Sequence, residues 1–140
     1  MAFESKSMGC SVAGEISDVW VLPAALQQLE ECGEAALVEE LIAIFQTDTA
    51  SRLETLARAV EAADGAATRT EAHTIKGSAL QVGASRMADL CRQMEVEARK
   101  VPPENLAPLF HALLRSFDEV RGVMAARCGS AMDGPPSHGE

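Results

Sequence analysis

The residues best suited to chemistry lie in one short stretch, residues 72–84, with the sequence AHTIKGSALQVGA. If the stretch is helical, at about 100° per residue, Ile75 centres a narrow inward-facing stripe that also contains Thr68, Ala72, Ala79 and Val82. His73 then lies about 160° from Ile75, on the opposite face of the helix. A lone histidine is ordinarily buried and hydrogen-bonded, but this position predicts that the imidazole faces solvent.

Two cations and a glycine surround His73 on the same helix. Arg69 lies four residues before the histidine and Lys76 three residues after it, so both cations can reach an anion attached to the ring. Gly77 lies one turn after His73 in mid-helix, where glycine costs roughly 1 kcal/mol relative to alanine. We interpret Gly77 as a means of access, because it places no side chain beside the ring. The pattern predicts an exposed nucleophile prepared to hold a phosphoryl group.

Imidazole suits this chemistry because its neutral form, which dominates near neutral pH, offers a nitrogen lone pair for in-line attack on phosphorus. The sequence has neither a G-x-x-x-x-G-K-[ST] loop nor a kinase glycine loop, and no acidic cluster for Mg²⁺ accompanies His73. We therefore expect no metal site and no cofactor in this chain. A partner protein is expected to supply the remaining parts.

Helical periodicity predicts the elements that position these residues. Five segments have an apolar period close to 3.6 residues, and none alternates as a strand does. They are residues 22–31, 34–63, 66–82, 85–100 and 104–126. Short connections make neighbouring helices antiparallel, so we expect an all-α fold, an up-down-up-down four-helix bundle with a short additional N-terminal helix. We assign residues 18–128 to the bundle and residues 1–17 and 129–140 to flexible segments.

The second predicted helix carries a long apolar stripe. Its spacing is compatible with one core-facing row formed by Leu37, Leu41, Phe45, Leu56 and Val60, which Leu53 widens. Stripes of this kind indicate packing between helices and give no reason to expect a cofactor site.

The chain resembles the histidine-containing phosphotransfer (HPt) domains of multistep phosphorelays. Members of that family show a helix with A-H-x-[LI]-K-G-[SA]-[SA], then a [LIV]-G-A boundary and an R-[LM]-A-x-L-C-like segment. Here these are residues 72–79, residues 82–84 and residues 86–91. The stretch LIAIF at residues 41–45, followed by Asp48, also looks like the preceding helix of the family. The resemblance covers about residues 34–100.

The resemblance implies a role for each residue of the motif. His73 would be the phosphoacceptor, Lys76 would steady the phosphoryl group, and Gly77 would keep the approach open. Gln81 matches a position where the family often has a polar amide. Leu80 departs from the small residue that is common there. The family fold is a four-helix bundle that bears its histidine on an exposed face, in agreement with the periodicity.

The same resemblance implies the partners. The protein would accept a phosphoryl group from a receiver-domain aspartate or a histidine kinase and pass it to a response-regulator receiver domain. It would be a monomeric carrier without a kinase site of its own, served by a hybrid histidine kinase and by response regulators. Mg²⁺ would be bound by the partner receiver domain.

Charge narrows the classes of partner further. The net charge of −9 and the pI near 4.8 disfavour binding to nucleic acid or to an anionic membrane. No stretch approaches the roughly 18 apolar residues of a membrane span, and the N-terminus lacks the apolar core of a secretory signal, so we expect a cytoplasmic protein. The four scattered cysteines have no metal-ligand spacing and are expected to be reduced thiols: Cys10, Cys32, Cys91 and Cys128.

Three alternatives stay open. The phospho-accepting domain of a chemotaxis-type histidine kinase shares the H-x-[IL]-K-G core, although this chain would then be a fragment. A helical interaction module would never be phosphorylated on His73. The dimerising part of a histidine kinase would have the motif H-E-x-x at its histidine, whereas His73 is followed by Thr74. His111 and His138 lack a matching Lys-Gly pair and are weaker acceptor candidates.

Overall fold

A computed structural model describes residues 20–133 of the chain. This part of the chain contains five helices and no strand, which confirms the all-α prediction. The helices are α1 (Ala24–Glu31), α2 (Ala35–Glu61), α3 (Gly65–Val82), α4 (Ser85–Ala98) and α5 (Leu106–Asp133). None of the described helices is both long enough and apolar enough to cross a membrane.

Helices α2 to α5 form the predicted four-helix bundle. Each packs on its neighbour in the chain, and α5 closes the bundle by packing on α2, so α3 and α5 are diagonal to each other. The additional helix α1 packs on α2. The most extensive of these interfaces joins α3 and α4. The small side chains of Ala72 and Ala79 on α3 are fully buried. The helix that carries His73 is therefore held mainly against α4.

Specific contacts fix both ends of α3. At its start the side chain of Asp64 accepts a hydrogen bond of 3.0 Å from the backbone N–H of Ala67, as an N-cap residue does. At its end Gly83 adopts a φ of +81°, a left-handed conformation that glycine tolerates best. The indole Nε1 of Trp20 donates to the carbonyl oxygen of Val82 over 2.6 Å. These contacts fix where α3 begins and where it ends.

The buried face of α3 is the predicted one. Its buried residues are Thr68, Ala72, Ile75, Ala79 and Val82. Because the opposite face is left to solvent, the sequence-based rotation of α3 is confirmed.

The prediction for α2 was wrong in the first half of the helix. Leu37 and Leu41 are 40% and 37% exposed. The buried residues are instead Val38, Ile42, Phe45, Thr49, Leu53, Leu56 and Ala59. The true row lies one residue, or about 100°, away from the predicted one at this end. It passes through a polar residue, Thr49, so apolar periodicity alone does not reveal it.

The last helix continues beyond its predicted end at residue 126 and reaches Asp133. Residues 124–127 are Met-Ala-Ala-Arg, which are good helix formers, and the next prolines come only at Pro135 and Pro136. The helix thereby enters the segment 129–140 that the sequence assigned to a flexible tail. Residues 134–140 and the predicted flexible segment 1–17 lie outside the described residues.

Candidate functional site

His73 projects from the middle of the exposed face of α3. Its side chain is 70% exposed, which confirms the prediction that the imidazole faces solvent. The exposure follows from the helix rotation, because the residues that bury α3 lie on the opposite side. A second macromolecule can therefore reach the ring without any rearrangement of the bundle.

A buried carboxylate lies beneath the imidazole. Glu95 of α4 is only 7% exposed, and its Oε2 atom lies 3.5 Å from Nδ1 of His73. The same Oε2 atom lies 2.9 Å from Nζ of Lys76. Among the described residues, no donor forms a hydrogen bond of standard geometry with Oε2, so both contacts are electrostatic. One carboxylate oxygen thus holds the imidazole and the ammonium together.

Sequence reasoning missed Glu95, although a signal was present. Glu95 lies four residues after Cys91 and seven after Ala88, within the buried face of α4. A carboxylate on the buried face of a helix needs a cationic or hydrogen-bonding partner, because an unpaired buried charge is costly. That signal points to a partner but cannot say which helix provides it.

The arrangement makes one ring nitrogen the better nucleophile. A carboxylate beside Nδ1 favours the tautomer that carries its proton on Nδ1. The lone pair then belongs to Nε2, the ring nitrogen that has no carboxylate beside it among the described ion pairs. The imidazole is thus arranged to attack an electrophile through Nε2.

Lys76 lies three residues after His73, at the edge of the exposed face of α3. Its side chain is 25% exposed, and its ammonium is directed to Glu95. The lysine therefore stands beside the imidazole as one half of an ion pair. An anion on the ring would compete with Glu95 for this ammonium.

Gly77 has no packing role that the structure reveals. A Cβ atom built on this residue would meet nothing within 4 Å, and the residue is exposed. The cost of a mid-helix glycine is therefore not offset by a close helix contact. Its interpretation as a means of access to His73 stays a prediction.

A shallow cleft of about 290 Å³ lies beside His73. Arg69 lines it, as the spacing of one helical turn led us to expect, together with Thr70 and Thr74 of α3. The cleft is also lined by Glu95 of α4 and by Arg99, the residue that directly follows α4. Arg99 was not foreseen, because nothing in the sequence alone shows that the end of α4 faces Arg69.

Gln81 is not brought together with His73. It lies eight residues further along α3, about 12 Å along the helix axis. There it lines a groove of about 350 Å³ between α2 and α3, whose apolar walls include Leu41 and Ile44. Leu80, on the same face as His73, is 60% exposed. His73 therefore has a cleft lined by two arginines towards the start of α3 and an exposed leucine towards its end.

The other residues considered from the sequence do not contribute to the surroundings of His73. His111 is exposed on α5, diagonal to α3, and His138 lies outside the described residues. Cys91 is a buried free thiol, and burial together with the nearby Glu95 raises its pKa to about 12. Cys32 is a free, exposed thiol. Within residues 20–127, no three His, Cys, Asp or Glu side chains are grouped as metal ligands.

Comparison with known proteins gives a family match and a similar solved structure. The chain matches the model of the Hpt domain family over residues 40–123, more than half of its length. Its fold is similar to that in the crystal structure of histidine-containing phosphotransfer protein B (HptB) from Pseudomonas aeruginosa PAO1, with a TM-score of 0.67 and 26% sequence identity. This similarity covers 76% of the present chain and 92% of that chain. No match was found among curated proteins.

Proposed function

The chain belongs to the Hpt domain family, and we propose that it carries phosphoryl groups on His73 between the proteins of a two-component system. It accepts the group from a receiver-domain aspartate or a histidine kinase and passes it to the receiver domain of a response regulator. The observation that carries this proposal is the placement of His73. The imidazole is 70% exposed, and Oε2 of Glu95 lies beside its Nδ1 atom. The ammonium of Lys76 contacts the same Oε2 atom.

The first step is attack by the Nε2 lone pair on the phosphorus of a partner's aspartyl phosphate. The N–P bond forms while the acyl P–O bond breaks, and the electron pair of the broken bond returns to the partner's carboxylate. The ring becomes more positive as Nε2 shares its lone pair. Glu95, with Oε2 at 3.5 Å from Nδ1, stabilises that developing charge. Delivery to a second receiver domain is the reverse of these steps.

Lys76 serves the phosphorylated form. A phosphoryl group brings negative charge next to an ammonium that Glu95 holds 2.9 Å from its own oxygen. Charge-assisted contacts of this type contribute about 1.5–3 kcal/mol. Lys76 is thus held ready beside the ring before the phosphoryl group arrives.

The partner supplies the rest of the chemistry. Mg²⁺ assists phosphoryl transfer when carboxylates hold it beside the reacting group, and we place it at the aspartate of the receiver domain. The cations next to His73 belong to the protein itself, Lys76 on α3 among them. In this proposal the chain is a monomeric carrier, and a hybrid histidine kinase is the donor.

The test is phosphoryl transfer from a receiver domain. Candidate receiver domains are charged with acetyl phosphate and Mg²⁺ and mixed with the purified chain and with its His73→Gln variant. We expect label on the wild type that is lost in acid and kept in alkali, as a phosphoramidate requires, and none on the variant. Melting of the variant should change by less than about 0.5 kcal/mol, because His73 is exposed.

Two results would contradict the proposal. Persistent labelling of the His73→Gln variant would place the acceptor elsewhere. Absence of label from every receiver domain would favour an interaction module instead. A parallel incubation with ATP and Mg²⁺ alone should leave the chain unlabelled. Label from ATP would show that the chain has a kinase site of its own.

A further inference from the structure

Two arginines line the cleft of about 290 Å³ beside His73. Arg69 lies on α3, and Arg99 is the residue that directly follows α4. Among the described side chains, no carboxylate lies within ion-pair distance of either guanidinium. Lys76, in contrast, is paired with Glu95 over 2.9 Å. Within the described part of the chain, the two arginines thus have no carboxylate partner.

Their charge opposes that of the whole protein. The chain has 21 acidic and 12 basic residues and a net charge of −9. Glu95, the acid that lines the same cleft, is only 7% exposed and lies 2.9 Å from the Lys76 ammonium. The surface that the cleft presents to an approaching molecule is therefore cationic, on a protein that otherwise repels acidic partners.

We infer that Arg69 and Arg99 receive acidic side chains of the partner receiver domain while its aspartate meets His73. This inference rests on the proposed function. Mg²⁺ beside a phosphorylated aspartate is ordinarily bound through one or two carboxylates together with phosphoryl oxygens, so the reacting centre of the partner is acidic. When such a centre approaches Nε2 of His73, its acidic surroundings come to lie over the adjoining cleft, where the two guanidinium groups are free to pair with them.

The position of the two arginines also indicates which step of phosphotransfer they affect. The phosphoryl group already has a neighbouring cation in Lys76, which shares the Glu95 oxygen with His73. Arg69 is half-buried and Arg99 is exposed, as expected of groups at the rim of an interface. Charges at a rim chiefly change the rate of encounter and its dependence on salt. They should therefore govern docking and leave the lifetime of the phosphohistidine unchanged. For Arg69, this docking role takes the place of the contact with a ring-bound anion that its spacing from His73 alone predicts.

The experiment compares charge reversals at three exposed or half-buried arginines. Arg69→Glu and Arg99→Glu alter the cleft, and Arg115→Glu is the matched control. Arg115 is exposed on α5, diagonal to α3, and has no ion pair among the described side chains. All three variants change the net charge equally. The milder Arg99→Gln tests the same site without introducing a negative charge, and circular dichroism checks that each variant is folded.

The probe is the receiver domain that transfers fastest in the function test, charged with acetyl phosphate. Single-turnover transfer is followed at low and high salt, together with the lifetime of the isolated phosphohistidine. We expect the second-order rate constant at low salt to fall by about tenfold or more for Arg69→Glu and Arg99→Glu. Arg99→Gln should fall less, and Arg115→Glu should stay within about twofold of wild type. The maximal rate and the lifetime should not change, and high salt should narrow the differences.

Each other outcome decides against the inference. Equal rate constants for the cleft variants and Arg115→Glu would show that the cleft takes no part in docking. A shortened phosphohistidine lifetime in the cleft variants would mean that the arginines hold the phosphoryl group and not the partner. In both cases wild-type transfer would leave the proposed function intact. A wild-type chain that no receiver labels would refute the proposed function and this inference with it.

Discussion

Replacing Gly77 with alanine should make the protein more stable and slower in phosphotransfer. The residue lies in mid-α3 and is exposed, and an added Cβ would meet nothing within 4 Å. The substitution should therefore cause no clash, and it should gain the helix propensity that separates alanine from glycine, about 1 kcal/mol. For a domain of this size, that gain corresponds to a rise in Tm of roughly 4 °C.

The expected loss of transfer follows from position. Gly77 lies one turn from His73 on the face that a partner must approach. A methyl group there should slow transfer by a few-fold. Gly77→Glu adds bulk and a negative charge beside the incoming phosphoryl group, so we expect its transfer rate to fall by about tenfold or more, while the bundle stays folded.

Gly122 provides a matched control. It is also exposed and helical, and an added Cβ would again meet nothing within 4 Å. Gly122 lies on α5, diagonal to α3. Gly122→Ala should therefore raise Tm by a similar amount and leave transfer unchanged. If Gly77→Ala and Gly77→Glu both transfer like Gly122→Ala, the glycine is not a means of access. If Gly77→Ala lowers Tm, the residue has a packing role that the structure does not show.

Three further predictions concern Glu95, Lys76 and the cysteines. Glu95→Gln should slow transfer and lower the free energy of unfolding by about 1–2 kcal/mol in urea titrations, less than for a fully buried pair because Lys76 can turn to water. Lys76→Ala should shorten the phosphohistidine lifetime. It should also destabilise the protein more than the double variant Lys76→Ala/Glu95→Gln does, since the single change leaves a buried carboxylate without its cation. Additive effects of the two substitutions on the free energy of unfolding would argue against the ion pair. Cys91, whose pKa burial raises to about 12, should resist alkylation at pH 8 in the folded protein while exposed Cys32 reacts, and equal labelling of both would contradict the buried thiol.

The amino-acid sequence determined the features that depend on local spacing. The all-α bundle and its resemblance to HPt domains are confirmed by the helices and by the family match over residues 40–123. The buried stripe of α3 and the exposure of His73 are also confirmed. All of these features depend on the helical period and on residues within two turns of one another. A short segment of sequence contains that information. The roles of Lys76, Gly77, Arg69 and Gln81 stay predictions.

Only the tertiary structure decided what lies across from α3. The rotation of α2 could not be fixed, because Leu37 and Leu41 fit a helical stripe as well as Val38 and Ile42 do until the packing against neighbouring helices selects one row. Glu95 on α4 and Arg99, which directly follows α4, lie at the site although they come more than 20 residues after His73. Helical periodicity sets which face of α4 is buried, but not its height or distance against α3. The packing of α3 on α4 sets both, and it brings one carboxylate oxygen within 3.5 Å of the imidazole.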